Sequence, residues 1–262
     1  MAAAPPKTIL ALLAILAYWL FFFGDELVST VRLCRKSQDG SDLLNNTLLT
    51  DPNSTATAQH SKIDRTTVPL IMHRMWRDDS ILQTSRNPEL PANWTRAFNN
   101  CKQYQLRNWT TILWTDESMR SFIENHYPSF LPTYNSYPYP IQRVDAARYI
   151  ILCHYGGVYL DLDVGCLQNK DLTDLLYSME HLGKTVLMPQ TQPIGFSNDV
   201  LFATKGSFFF KRLIDALPSK NKWYGSPYLT VLYSTGPMFL TLQYEKLSSA
   251  RQKDILILPP KL

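Results

Sequence analysis

Residues 137–166 constrain the fold of this chain more than any other stretch, because a helix, a double glycine and a short strand follow one another there. Two prolines interrupt any earlier helix, and apolar residues then recur at helical spacing over 141–155. Gly156 and Gly157 end that helix, since glycine adopts a left-handed cap without steric cost. Residues 158–160 are typical of a buried strand. We therefore expect an α/β fold with a mostly parallel sheet.

The expected strand ends in Asp161-Leu162-Asp163 and so carries two carboxylates at its carboxyl end. Because they are two residues apart on this strand, we expect their side chains to share one face at the carboxyl edge of the sheet, where open α/β sheets bind ligands. Such carboxylates suit Mg²⁺ or Mn²⁺, with a diphosphate supplying further ligands. Solvated loop aspartates are the alternative interpretation, but the apolar flanks Leu160, Leu162 and Val164 favour the metal site.

Three charged residues lie on the otherwise apolar helix before that strand, namely Arg143, Asp145 and Arg148. Asp145 and Arg148 are three residues apart and therefore share a helix face. A surface ion pair is one interpretation. The other is that, beside a metal-bound diphosphate, they hold a sugar hydroxyl and a phosphate oxygen.

The strings IQRVDAARY and YGGVYLDLD resemble the core of the DXD sugar-transferase family, which includes fungal initiating α-1,6-mannosyltransferases and glucosylating bacterial toxins. Within that family, the longer string YPIQRVDAARYIILCHYGGVYLDLDVGC is most similar to catalytic subunits of fungal mannosyl inositol phosphorylceramide synthases. The resemblance covers residues 68–260. It implies a GT-A-type, Rossmann-like, mostly parallel sheet with flanking helices. It also implies metal-dependent transfer of mannose from GDP-mannose to inositol phosphorylceramide, with retention of configuration.

The resemblance implies roles for individual residues. Asp161, Asp163 and Arg148 are the expected catalytic residues, with Mn²⁺ or Mg²⁺ held by the two aspartates. Arg143 and Arg148 are expected to stabilise negative charge on the departing diphosphate. The expected donor-binding residues are Trp76, Arg143, Asp145, Arg148, Gly157, Tyr159 and Asp161. No residue among them is an obvious nucleophile.

Two of these implied roles have a plain structural alternative. Trp76 ends the first expected strand and is implied to lie beside the nucleotide base, but it could equally be a core aromatic. Asn198 and Asp199, in the string IGFSNDV, are implied to bind a hydroxyl of the acceptor, but an Asx turn would place the same residues there.

Other segments predict the remaining elements. Strands are expected at 68–76, 110–114, 185–188 and 255–258. Helices are expected at 121–128, 172–182, 207–217 and, after the STGP turn at 234–237, to residue 247. Asp116 and Glu117 are suited to begin a capped helix. The three phenylalanines at 208–210 are expected in the core.

The N-terminus contains an uninterrupted apolar run at 9–23, preceded by Lys7 and followed by Asp25. It is short for a membrane-spanning helix, which takes about 20 residues, but neighbouring alanines and Gly24 extend it. We interpret residues 1–25 as a signal anchor, 26–66 as a polar lumenal stem and 67–262 as the catalytic domain. A cleavable signal peptide is the alternative, although no small-residue cleavage site follows the run directly.

Four glycosylation sequons support a lumenal catalytic domain, at Asn45, Asn53, Asn93 and Asn108. With the anchor, they predict a single-pass type II protein of the Golgi membrane. The four cysteines have no zinc spacing and permit disulfides, whose pairing the sequence leaves open. The net charge of +4 suits an anionic substrate or a membrane surface but is too small to indicate nucleic-acid binding.

Two other functions stay open at this point. An initiating α-1,6-mannosyltransferase acting on protein N-glycans would share the site but use a soluble acceptor. A non-catalytic, carbohydrate-binding or scaffolding membrane protein would not need the Asp161/Asp163 pair. The resemblance further implies a small membrane-bound regulatory subunit. It also implies a continuation beyond Pro259 and Pro260, with a His- and Trp-containing segment and hydrophobic helices, so we expect the 67–262 domain to be incomplete and to transfer poorly.

Overall fold

The computed structural model describes residues 68–79, 92–104, 109–166, 172–192 and 194–259. Its elements in chain order are β1 (Ile71–Met75), α1 (Ala92–Tyr104), β2 (Thr110–Trp114), α2 (Asp116–His126), α3 (Leu131–Ser136), α4 (Pro140–Tyr155), β3 (Gly157–Leu160), α5 (Leu172–His181), β4 (Val186–Pro189), β5 (Val200–Ala203), α6 (Phe208–Lys220), α7 (Pro227–Ser234), α8 (Pro237–Glu245), α9 (Ser249–Gln252) and β6 (Ile255–Leu258). The expected anchor at 1–25 and stem at 26–66 lie outside the described residues. Within the described ranges, no helix has the length and apolar character needed to cross a membrane.

The six strands form one sheet in the order β2-β1-β3-β5-β4-β6. The β1–β2, β1–β3 and β4–β6 pairs are parallel, whereas β5 is antiparallel to both β3 and β4. Five strands therefore run in one direction and β5 alone runs against them. The fold is therefore α/β, with flanking helices around a mixed sheet that is mostly parallel, as expected.

Helices cover both faces of the sheet, which explains why the β3 sequence is apolar throughout. Tyr159 points into the larger apolar cluster, which also contains side chains of α2, α4, α6 and α8. Its neighbours Val158 and Leu160 point to the other face, into a cluster shared with residues of α1 and α5. The alternation of side chains along a strand thus places one hydrophobic layer on each face.

The two glycines between α4 and β3 have separate structural reasons. Gly156 caps α4 with a φ of 73°, and its N–H donates to the carbonyl oxygen of Leu152. Gly157 has a φ of 95°, and a Cβ there would lie 2.4 Å from the carbonyl oxygen of Ile71. A side chain at 157 would therefore push β1 away from β3, so this glycine is required by strand packing.

A buried histidine connects β1, β2 and the end of α4. His73 accepts a hydrogen bond at Nδ1 from Trp114 Nε1 at 3.1 Å, so its proton is on Nε2, which lies 3.0 Å from the carbonyl oxygen of Gly156. Burial lowers the pKa of His73 to about 4, although the bond to Gly156 acts in the opposite direction. The imidazole is therefore a neutral part of the core.

The expected elements are largely found, and the structure adds five that were not predicted. The helices α4, α5, α6 and α8 and the strands β1 to β4 and β6 occur within a few residues of their predicted bounds. The helix expected at 121–128 begins at Asp116, so the expectation that Asp116 and Glu117 begin a capped helix is confirmed, with Thr115 as the cap. Five elements in the described ranges were not predicted from the sequence, namely α1, α3, α7, α9 and β5; four of them are short, whereas α1 has 13 residues. Of the three phenylalanines, Phe209 and Phe210 are buried but Phe208 is exposed beneath Arg251.

A disulfide joins Cys101 on α1 to Cys166, shortly after β3. Their Cα atoms lie 4.7 Å apart, and the bond closes a loop of 65 residues. The loop contains β2, α2, α3, α4 and β3, so the bond encloses most of the stretch from which the fold was predicted. Cys153 is buried and unpaired.

Candidate active site

The Asp161–Val164 segment is a β-turn that follows β3, closed by a 3.0 Å hydrogen bond from the N–H of Val164 to the carbonyl oxygen of Asp161. Asp161 is partly exposed, Leu162 is buried and Asp163 is exposed. The two aspartates therefore do not lie on a strand, and the same-face argument from strand geometry is wrong. A turn still holds both carboxylates at the carboxyl end of β3, with Leu162 as its anchor in the core.

Two neighbours hold the carboxylate of Asp161. The hydroxyl of Tyr159 donates to Oδ1, and Arg148 Nη1 lies 3.3 Å from the same oxygen. The Arg148 guanidinium also lies 4.5 Å above the Tyr159 ring. Burial is the largest of the effects that raise the pKa of Tyr159 well above its usual value, so the phenol keeps its proton and stays a donor. The orientation of Asp161 is thus fixed before any ligand binds.

A buried polar network lies behind Asp161 and connects α4 to the segments before β5 and α8. Arg148 Nη2 is 3.0 Å from Asp145 Oδ1, and its Nη1 donates to the carbonyl oxygen of Asn198 at 2.6 Å. Asn198 Nδ2 donates to Asp145 Oδ1 at 2.9 Å, and Thr235 Oγ1 donates to Asp145 Oδ2 at 3.0 Å. Asp145 and Arg148 are almost fully buried. The interpretation of the two as a surface ion pair is therefore wrong.

Burial and charge compete within this network. Burial raises the pKa of Asp145 to about 6, even though Arg148 and two hydrogen bonds favour the ionised form. Burial alone would lower the pKa of Arg148, but its anionic neighbours outweigh that effect and raise it. We assign Arg148 as permanently cationic and Asp145 as ionised at neutral pH, because the guanidinium lies within 3.0 Å of the carboxylate.

Asn198 and Asp199 lie beside the turn, on the segment that leads into β5. The N–H of Asp161 donates to the carbonyl oxygen of Asp199 at 2.8 Å, and Ser197 donates to the Asp199 carboxylate. Asn198 is buried, and its amide nitrogen donates to Asp145. The structure thus brings both residues to the site, with Asn198 as part of the buried network. Their contact with an acceptor stays a prediction.

The other predicted donor-binding residues lie at different distances from the site, and not all of them fit their expected role. Trp76 follows β1 at the same sheet edge, half-buried and edge-to-face with Trp94 at 5.6 Å. Arg143 lies outside the network and donates to the carbonyl oxygen of Tyr137 at 2.8 Å. Gly157 begins β3, at the opposite end of that strand from Asp161, so its expected place beside the donor does not fit this position.

Sequence reasoning missed two residues that contact the site directly. Arg74 on β1 donates from Nη1 to the carbonyl oxygens of Asp161 at 2.7 Å and Val164 at 3.2 Å. Thr235 supplies a hydrogen bond to Asp145, although the STGP turn that contains it was expected only to lead into a helix. A cation inside a buried strand was the available signal for Arg74, since arginine is rarely fully buried without a functional or structural partner.

The residues present are compatible with a divalent metal bound together with a diphosphate. Asp161 and Asp163 supply carboxylate oxygens, the ligands that Mg²⁺ and Mn²⁺ prefer, and Asp163 is the more open of the two. No group of three potential ligands from His, Cys, Asp and Glu occurs in the described ranges. Most of the coordination would therefore come from the diphosphate and water, as is usual for Mg²⁺.

Comparisons with known proteins agree with this geometry. Residues 91–182 match the family model described as the glycosyltransferase sugar-binding region containing the DXD motif. Inositol phosphoceramide mannosyltransferase 1 of Schizosaccharomyces pombe is 40% identical over 197 residues, covering 74% of this chain and 57% of that protein. Mannosyl phosphorylinositol ceramide synthase SUR1 of Saccharomyces cerevisiae is 37% identical over 196 residues, covering 74% of this chain and 47% of that protein.

The chain thus spans about half the length of the curated relatives it matches. Among solved structures, the PaToxG glycosyltransferase overlaps with a TM-score of 0.46 and 17% identity, over 69% of this chain and 70% of that one, a likeness too low to support an argument. The family match contains the whole of the Asp161–Val164 turn and the α4 residues behind it. Residues 91–182 therefore form a sugar-binding region of the DXD glycosyltransferase family.

Proposed function

We propose that this chain is a GT-A-type glycosyltransferase that moves mannose from GDP-mannose to inositol phosphorylceramide. One observation carries the proposal, namely that the partly exposed Asp161 is oriented by the buried pair Arg148 and Asp145 at the carboxyl edge of the sheet. The names of the relatives in both yeasts support mannose as the sugar and the inositol phosphoceramide as its acceptor. Five co-directional strands with helices on both faces support the GT-A assignment.

Each residue at the turn would have a separate task in this reaction. Asp161 and Asp163 would hold Mn²⁺ or Mg²⁺, which would act as a Lewis acid on the departing diphosphate. Arg148 holds Asp161 in place and contributes a fixed positive charge next to the site. Tyr159 fixes the other side of that carboxylate. Trp76, at the same edge, offers an aromatic face for the nucleotide base.

The acceptor and the cellular setting are also proposals. Inositol phosphorylceramide is a lipid, so the site must work near a membrane, to which the apolar run at 9–23 would anchor it. We propose a Golgi location with the catalytic domain in the lumen, and a small membrane-bound regulatory subunit as partner. The Cys101–Cys166 disulfide supports an oxidising compartment of this kind.

Transfer assays with the full chain test the proposal. The protein is incubated with Mn²⁺, a panel of sugar nucleotides and vesicles that contain inositol phosphorylceramide, and the mannosylated lipid is measured. Asp163→Asn should lower the rate by at least 100-fold, because it removes a charged ligand from the metal. Asp174→Asn, at an exposed aspartate on α5, is the matched control and should keep the parent rate.

Three results would contradict this assignment. If Asp163→Asn kept the parent activity and the same metal dependence, the turn would have no role in the reaction. Transfer to a soluble N-glycan acceptor in place of the lipid would support the initiating α-1,6-mannosyltransferase instead. Tight sugar binding without hydrolysis or transfer from any donor would indicate a carbohydrate-binding protein.

A further inference from the structure

Arg74 has an unusual position for an arginine. It is the fourth residue of β1, is 1% exposed, and lies on the central part of the sheet, where β1 pairs with both β2 and β3. In the described part of the chain, no carboxylate oxygen lies within salt-bridge distance of it. Its Nη2 has no hydrogen-bond partner there either, although it is buried. A buried donor without a partner costs free energy and calls for a reason beyond packing.

The bonds that Arg74 does make are to the backbone of the Asp161–Val164 turn. Nη1 donates to the carbonyl oxygens of the first and last residues of that turn, Asp161 and Val164, at 2.7 and 3.2 Å. One nitrogen therefore joins both ends of the segment that carries the two carboxylates. The N–H of Val164 closes the same turn from within.

The guanidinium is itself held in place by α1. Its central carbon lies 5.8 Å from the centre of the Phe98 ring, and Phe98 packs with Leu162, the buried residue of the turn. Burial lowers the pKa of Arg74 to about 10, while Tyr159, Asp161 and Asp163 act to raise it, so the side chain stays cationic at neutral pH. A positive charge thus lies near two carboxylates that would otherwise repel each other, although neither is within salt-bridge distance.

We propose that Arg74 is a positioning residue that holds the Asp161–Val164 turn in its ligand-ready shape before a divalent metal binds. The part of this inference that concerns metal binding rests on the proposed function. The part that concerns the shape of the turn rests on the hydrogen bonds alone. Metal affinity depends on such supporting groups. If the turn becomes ordered only when the metal binds, the free-energy cost of that ordering weakens the binding.

Two variants and a control separate this role from general stability. Arg74→Met removes both the charge and the hydrogen bonds, whereas Arg74→Lys keeps the charge and one compact donor group. Arg120→Met, at a half-exposed arginine on α2 that pairs with Glu124, is the control. Each variant of the 262-residue chain is first checked for cooperative unfolding by circular dichroism, so that only folded protein enters the comparison.

Two readouts are then measured. The first is binding of Mn²⁺ in the presence of GDP, followed by the loss of the free Mn²⁺ signal in electron paramagnetic resonance. Arg74→Met should raise the Mn²⁺ dissociation constant about 10- to 100-fold, as supporting residues of metal sites do, with Arg74→Lys between it and the parent. The second is hydrogen exchange without metal, where the amide of Val164 should exchange faster in Arg74→Met, because its turn has lost its external support.

The outcomes distinguish this inference from the proposed function. Unchanged Val164 exchange in folded Arg74→Met, or in Arg74→Lys if the methionine variant does not fold, would overturn the positioning role. Faster exchange with an unchanged Mn²⁺ affinity would overturn the link between turn shape and metal binding. A parent protein that binds no Mn²⁺ with GDP would contradict the proposed function, yet the exchange experiment would still decide whether Arg74 holds the turn.

Discussion

At the scale of single residues, the buried pair Asp145 and Arg148 shows that burial decides how much an ion pair contributes to stability. Arg120 and Glu124 form a similar pair on α2, four residues apart, but both are about half-exposed. Exposed pairs contribute about 0–1 kcal/mol to stability, since water already solvates each partner well. A buried pair loses that solvation, so the removal of one partner leaves the other with an uncompensated charge.

Substitution of each arginine by methionine should therefore have very different effects. We expect Arg148→Met to lower the free energy of unfolding by about 3–5 kcal/mol, because Asp145 would be buried without its cation. Arg120→Met, the control, should change it by about 0–1 kcal/mol. Urea denaturation followed by circular dichroism measures both. Equal costs for the two variants would mean that Asp145 is solvated in solution.

The cost of Arg148→Met should also depend on pH. Burial already raises the pKa of Asp145 from 3.8 to about 6, and loss of the cation raises it further. A group with a raised pKa contributes stability that is fully present below its unfolded pKa and is lost as the pH rises through its folded pKa. Arg148→Met should thus destabilise less at about pH 5 than at about pH 8. The same cost at both pH values would exclude Asp145 as the group left unpaired.

At the scale of elements, three connections hold the segment after β3. Arg74 supports it from β1, and the carbonyl oxygen of Asp199 accepts from Asp161 ahead of β5. The Cys101–Cys166 disulfide attaches its far end to α1, where Gly165 lies close to Ala97. Contacts from three other parts of the chain thus hold the segment from Asp161 to Cys166, whose turn is closed from within by one hydrogen bond.

The disulfide should contribute both to stability and to the shape of the turn. Closing a loop of 65 residues stabilises a protein by about 4 kcal/mol in the chain-entropy model. A Cys101→Ser/Cys166→Ser double variant should therefore unfold at lower urea and bind Mn²⁺ with GDP more weakly. Reductant should reproduce both effects in the parent and leave the double variant unchanged. A parent protein insensitive to reductant would show that this bond does not form in solution.

At the scale of the whole molecule, the site depends on where the parallel strands end. The residues after β1 and β3, Trp76 and Asp161, meet at one edge of the sheet because these strands are parallel neighbours. The antiparallel β5 runs the other way, so the residues before it, Asn198 and Asp199, arrive at the same edge. One strand reversal thus brings a third segment to the site.

The proposed lumenal location of the catalytic domain predicts that the chain is glycosylated. Asn93 is exposed on α1, whereas Asn45, Asn53 and Asn108 lie outside the described residues. In secretory-pathway cells, glycosidase treatment of the full chain should increase its gel mobility, and Asn93→Gln should remove one step of that shift. Asn125→Gln, at an exposed asparagine outside any sequon, should leave the shift unchanged. No shift in the parent would contradict lumenal exposure, and a mature N-terminus after Gly24 would replace the anchor with a signal peptide.

The sequence by itself determined the elements whose signals are local. Helical spacing, a double glycine and a β-branched, aromatic run were enough to predict α4, the turn after it and β3. The same stretch identified Asp161, Asp163, Asp145 and Arg148, because charges in an otherwise apolar helix and strand end are conspicuous. These features depend on neighbours a few residues apart, which are visible in a sequence.

Only the tertiary structure decided how those residues are used. It placed Asp145 and Arg148 inside the protein, since contacts from Asn198 and Thr235 come from segments about 50 and 90 residues away. In the structure, the two aspartates lie in a turn and not on the strand, and Gly157 packs against Ile71. Arg74 donates hydrogen bonds to the backbone of that turn. Burial and hydrogen bonding between distant segments are properties of the folded chain, so no local pattern could have revealed them.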